Sequence, residues 1–184
     1  GADFVVTPKD FASGTDRIIW AYEYLGLDAD FVLNIQGDEP FVEGEVIDRL
    51  ILGLEASEAG VSTLVSKIEE NSEIFDPSVV KVVCSVDGNA LYFSRSPIPF
   101  IRDFEKDLWY IKFSFYKHIG IYCFRREALK SFSKLPLGKL EIAEKLEQLR
   151  LLENGIKIHC IEIDRKMVGI DTARDLEKAK KLIQ

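Results

Sequence analysis

The sequence predicts an α/β fold, a three-layer sandwich in which a mixed, mostly parallel sheet lies between helices. Three observations point there. Strand-like apolar segments alternate with segments of helical periodicity along the chain. Residues 31–35 form one apolar run, the pattern of a strand covered on both faces of a parallel sheet. Residues 79–94 read as a hairpin, which inserts antiparallel pairing and makes the sheet mixed.

Taken in order, Phe4-Val5-Val6 reads as a short buried strand, followed by a loop with Pro8 and Gly14. Residues 16–25 have helical spacing, with Ile18, Ile19, Tyr22 and Leu25 on one face and Ser13 or Thr15 as the N-cap. The apolar run 31–35 ends in Gln36-Gly37-Asp38-Glu39-Pro40, and a helix follows over about 45–56. A strand over 60–65 leads through a polar stretch to the hairpin, whose arms 79–86 and 90–94 flank the turn Asp87-Gly88-Asn89. Ser96-Pro97-Ile98-Pro99 breaks regular structure, and residues 102–117 read as a loop with short elements. A strand over 118–124, a short helix over 126–132, a longer helix over 140–154 capped by Gly155, a strand over 156–163 and a helix over 172–182 complete the series.

The 184 residues suit one domain, 1–184, with an inserted hairpin region at about 79–124. The chain has no initiator methionine and enters directly on a strand-like segment, so the fold is expected to be incomplete at its N-terminus. With 31 acidic against 24 basic residues, the net charge is −7. A nucleic-acid binder needs a basic surface, so that role is excluded. No run is apolar enough to span a bilayer and no leader pattern opens the chain, so no membrane partner and a cytoplasmic setting are expected. Cys84, Cys123 and Cys160 are far apart in apolar segments, as reduced, buried thiols would be.

In an open α/β sheet, ligands bind beyond the carboxyl ends of strands. Asp38 lies there, after Gly37, which permits close approach of a ligand, and before the stiffening Pro40. It reads either as a Mg²⁺ ligand or as an ordinary polar turn. Asp171 follows Met167-Val168-Gly169-Ile170 and is either its partner or part of a helix start. Ser13-Gly14-Thr15 offers backbone N–H groups at a helix start. His118 and Tyr122 are four apart on a strand and share a face. Glu141, Glu144, Glu147, Gln148 and Arg150 crowd one helix, which is a solvated face or, at Glu147-Gln148, a polar surface for a hydroxylated substrate. Arg95 and Arg102 flank the proline break and suit bidentate binding of a carboxylate or phosphate.

Seven segments occur in one order: Ser13-Gly14-Thr15-Asp16-Arg17, Gln36-Gly37-Asp38-Glu39-Pro40, Val80-Lys81-Val82-Val83, residues 90–99, His118-Ile119-Gly120-Ile121-Tyr122, Leu146-Glu147-Gln148-Leu149-Arg150 and Gly169-Ile170-Asp171-Thr172. Together they resemble the 3-deoxy-manno-octulosonate (Kdo) cytidylyltransferases over essentially the whole chain. The resemblance implies a fold of the nucleotide-diphospho-sugar transferase type. It also implies CTP and Kdo as substrates, CMP-Kdo and pyrophosphate as products for lipopolysaccharide biosynthesis, and a homodimer. It further implies Asp38 and Asp171 as the catalytic carboxylates holding Mg²⁺, and Ser13, Gly14, Gln36 and Gly37 beside the nucleotide. Arg102, His118, Tyr122, Glu147 and Gln148 would contact the sugar acid, with Arg102 on its carboxylate and Arg95 near the same pocket. The family's Arg/Lys-rich triphosphate loop is not in this sequence, which implies little turnover by these residues alone. Two rivals stand beside this expectation: a synthetase for another sugar acid such as a sialic acid, and a non-catalytic module on the same scaffold.

Overall fold

A computed structural model describes residues 3–37, 39–164 and 177. Its strands β1 (Phe31–Asn34), β2 (Val61–Lys67), β3 (Lys81–Cys84), β4 (Ala90–Ser94), β5 (Tyr116–Arg125) and β6 (Ile158–Glu162) form one sheet of order β4-β3-β5-β2-β6, with β1 also on β5. The helices are α1 (Gly14–Tyr24), α2 (Gly44–Glu55), α3 (Asn71–Phe75), α4 (Trp109–Lys112), α5 (Arg126–Phe132), α6 (Lys139–Glu144) and α7 (Gln148–Glu153).

The sheet is sandwiched as the alternation of segments predicts. One apolar layer joins Ile19 and Tyr22 of α1, Leu129 and Phe132 of α5 and Leu149 and Leu151 of α7 to Val61, Val65, Phe93 and Phe124. The opposite layer packs Val46, Leu50 and Leu54 of α2, spaced four apart, on Leu64, Ile119, Ile121 and Cys123. Residues 61–66 of β2 are buried without interruption because helices cover both faces. A smaller cluster of Ile68, Ile74, Trp109 and Phe115 closes one end, where the Trp109 indole N–H donates to the Phe104 carbonyl at 2.9 Å.

Pairing departs from the mostly parallel sheet that was expected. Among the described strands, β1, β2 and β3 all pair antiparallel with β5, β3 pairs antiparallel with β4, and only β2–β6 is parallel. The strands β1, β2, β3 and β6 do share one direction, but β5 runs against them at the centre and separates β1 and β3 from β2 and β6.

Other boundaries also differ. Phe4 and Val6 are 88% and 81% exposed and form no strand among the described residues, since no neighbouring strand pairs with them. The helix expected over 140–154 is two, α6 and α7, broken at Lys145, whose φ is +56°. The polar stretch after β2 contains α3, and the segment 102–117 holds a 3-10 turn, Lys106–Leu108, before α4. The hairpin turn falls as expected, with Gly88 at φ +76° and its N–H on the Ser85 carbonyl at 3.0 Å. The three cysteines are free thiols, Cys123 and Cys160 buried and Cys84 partly so. The helix expected over 172–182 lies outside the described residues.

Candidate active site

Strand β5 creates the site by the way its neighbours leave it. On one edge β2 follows it along its length; on the other, β1 pairs with residues 122–125 and β3 with residues 116 and 117. Between β1 and His118, whose N–H donates to the Val80 carbonyl at 2.8 Å, that edge is left without a partner strand among the described residues. There the register with β2 slips, Thr63 pairing with Tyr122 and Leu64 with Ile119, so Gly120 and Ile121 form a bulge. A cavity of about 530 Å³ opens there, and His118, Gly120 and Tyr122 of β5 line it.

The bulge also orients His118. Thr63 Oγ1 lies 2.9 Å from the Ile121 carbonyl, to which it donates, and 2.9 Å from His118 Nε2. With its one proton given to the carbonyl, Thr63 accepts from Nε2–H, which leaves Nδ1 as an acceptor. Burial pushes the His118 pKa down to about 3, so the ring is neutral at physiological pH. Its ring packs edge-on to Phe93 at 5.0 Å and against Tyr122 at 5.3 Å. Burial likewise raises the Tyr122 hydroxyl well above its usual range, so it stays protonated.

The opposite walls come from α1, α6 and α7. Ser13 caps α1, its Oγ accepting from Asp16 N–H at 3.1 Å and donating to Asp16 Oδ2 at 2.7 Å. Gly14 follows, and a Cβ there would lie 3.8 Å from the Gln36 amide nitrogen. Glu147 accepts from Thr15 N–H at 3.2 Å and from Thr15 Oγ1 at 3.0 Å, while Asn34 Nδ2 donates to Thr15 Oγ1 at 3.1 Å. The carboxylate of Glu147 thus ties α7 to the first turn of α1. Gln148, only 3% exposed, lines the cavity with its Nε2 buried and without a hydrogen-bond partner in the protein. A buried amide left unpaired costs about 1–3 kcal/mol, which makes it a donor in want of a ligand.

Glu141, Glu144 and Arg150 of α6 and α7 form no solvated face. Arg150 is buried and forks onto Glu141 at 2.6 and 2.7 Å, reaches Asp16 at 3.1 Å, and lies over the Phe132 ring at 4.2 Å. Glu144 accepts from Ser94 Oγ at 2.7 Å and from Arg95 N–H at 3.0 Å. Its carbonyl and that of Pro77 each accept from the Arg95 guanidinium at 2.9 Å. Beneath, the fully buried Lys81 ammonium donates to the carbonyls of Asp76, Val79 and Arg95 at 2.6–2.8 Å.

Of the residues expected at the site, Ser13, Gly14, Gln36, Arg95, His118, Tyr122, Glu147 and Gln148 therefore line one cavity. Gly37 is described but does not line it, and Arg102 is exposed outside it with Asp103 at 3.9 Å. Asp38 and Asp171 lie outside the described residues. Sequence reasoning missed Asn34, Thr63 and Lys145 at or behind the walls. A polar residue inside the apolar run 31–35 was the available signal for Asn34.

Residues 1–158 match the cytidylyltransferase family model. The chain is 44% identical over 184 residues to the 3-deoxy-manno-octulosonate cytidylyltransferase of Geobacter sulfurreducens, covering 97% of this chain and 73% of that one. It is 46% identical over 188 residues to the enzyme of that name from Chlorobaculum tepidum, covering 100% and 73%. Among solved structures it resembles CMP:2-keto-3-deoxy-manno-octonic acid synthetase complexed with CTP, with a TM-score of 0.87, 39% identity and coverage of 97% of this chain and 71% of that one. A putative glucose-1-phosphate thymidylyltransferase from Bacillus anthracis shares the fold, with a TM-score of 0.55 at 16% identity over 91% of this chain and 59% of that one. The chain belongs to the 3-deoxy-manno-octulosonate cytidylyltransferase family.

Proposed function

We propose that the cavity between β5, α1 and the α6–α7 break binds Kdo beside CTP, for transfer of the cytidylyl group to the sugar acid. The observation that carries this reading is the unpaired, buried Nε2 of Gln148 on a cavity shared with neutral His118 and protonated Tyr122. A donor amide, an imidazole acceptor and a phenol donor suit the hydroxyls of a sugar. In the reaction the anomeric hydroxyl of Kdo attacks the α-phosphorus of CTP. A new P–O bond forms, the bond to the β-phosphate oxygen breaks, and pyrophosphate leaves while the hydroxyl proton passes to solvent. The residues around the cavity bind and orient, and most of the rate follows from positioning.

Asp38 and Asp171 are proposed as the carboxylates for Mg²⁺. Hard oxygen donors suit that ion, which completes its shell with water and phosphate oxygens. When bound, it supplies charge neutralisation at the phosphates. Ser13, Gly14 and Gln36, clustered at the start of α1, are the proposed nucleotide contacts. The reading extends to a homodimer in the cytoplasm serving lipopolysaccharide biosynthesis. Among the described residues no helix is long and apolar enough to cross a membrane. Calorimetric titration tests the substrate class: Kdo binds more tightly than a sialic acid of equal charge. Equal or inverted preference overturns the assignment to Kdo.

A further inference from the structure

The break between α6 and α7 puts one residue in an unusual position. Lys145 has φ +56° and ψ +47°, the only non-glycine positive φ among the described residues, and its N–H caps α6 on the Glu141 carbonyl at 2.8 Å. An L-residue in this left-handed region is strained where glycine is not, and helices commonly end on glycine there. Nothing in the backbone of this turn therefore calls for lysine.

What lysine adds is a cationic side chain on a residue that lines the cavity together with Gln148, His118 and Arg95. Three carboxylates neighbour it in sequence, and all three are engaged elsewhere. Glu141 holds Arg150, Glu144 holds Ser94 and the Arg95 N–H, and Glu147 holds Thr15. Among the described residues the Lys145 ammonium forms no ion pair, and the residue is exposed. The other cation on the wall, Arg95, spends two of its N–H groups on carbonyls of the protein. A substrate carrying a carboxylate into this cavity meets Lys145 as a charge still to be answered.

We propose that Lys145 is a substrate-binding residue whose ammonium receives the carboxylate of the sugar acid, and that the left-handed turn is tolerated because it aims that group at the cavity. The proposal rests on the reading of the cavity as a Kdo site. Lys145→Gly separates ligand binding from folding, because glycine suits the turn. The expected result is a melting temperature equal to or above that of the wild type, with Kdo affinity weakened about tenfold, the scale of one charge-assisted contact. Lys145→Arg retains affinity within about threefold, and CTP affinity is unchanged in both variants. Unaltered Kdo affinity in Lys145→Gly overturns the proposal, as does a loss confined to CTP. A wild-type chain that binds no Kdo overturns the Kdo reading itself and this inference with it.

Discussion

Arg150→Met removes the charge that joins the two halves of the site while keeping most of the side chain's bulk. The Arg150 side chain is 4% exposed, Glu141 is 9% and Asp16 is 21%. Deleting one member of a buried ion pair leaves the other charge uncompensated, at a cost of about 3–5 kcal/mol. Glu141 accounts for most of that, since both its oxygens accept from Arg150. Asp16 contributes less, because it is partly hydrated and keeps its bonds to Ser13. In a chain of this size each kcal/mol moves the midpoint by about 2–4 °C, so the melting temperature should fall by roughly 10 °C. Adding Glu141→Gln to Arg150→Met removes the orphaned charge and should return about 1–2 kcal/mol. Calorimetry or urea melts of wild type, single and double variants measure all three. A single variant within about 1 kcal/mol of wild type, well below the roughly 3–5 kcal/mol expected, refutes the claim that this cluster anchors α1 to α6 and α7.

Further outcomes follow from the same geometry. The His118 ring, with its pKa lowered to about 3 against 6.5 for a free side chain, should show no NMR titration between about pH 5 and 8. Because the folded state favours the neutral ring, its contribution to stability is full above about pH 6.5 and is lost as pH falls toward 3; a midpoint near 6.5 contradicts this desolvation. In native protein Cys84, whose pKa is lowered by the Cys160 thiol, should react first with a disulfide reagent. Cys123, pushed up to about 12 by burial, should react only on unfolding, and equal rates refute the ordering. Thr15→Val removes the hydroxyl shared by Glu147 and Asn34 and should cost about 1–3 kcal/mol by urea melts, with no change expected if those contacts are idle.

The layers of the fold were legible because burial writes itself into periodicity. Val46, Leu50 and Leu54 announce α2, and the strand-like segments at 60–65 and 118–124 announce β2 and β5. Strand direction was not legible, since an apolar run reads the same whether its neighbours are parallel or antiparallel. The break at Lys145 was invisible for a related reason. Residues 140–154 carry no glycine or proline, and tertiary bonds of Glu144, Glu147 and Arg150 impose the turn against local propensity. Site residues were legible where they sit in motifs, as His118, Tyr122 and Gln148 do. Thr63 was not, because its role depends on a bulge in the partner strand that places the Ile121 carbonyl and His118 Nε2 on either side of its hydroxyl. Arg102, chosen from sequence for a carboxylate, is instead on an exposed segment outside the cavity.

The most direct test of the central claim is the affinity for Kdo of the wild type beside Gln148→Leu, which removes the unpaired amide but keeps the packing. The wild type should bind Kdo, and Gln148→Leu should bind it at least about tenfold more weakly while melting no lower, because no protein partner is lost. Equal affinity in the two proteins, or no Kdo binding by the wild type, contradicts that claim.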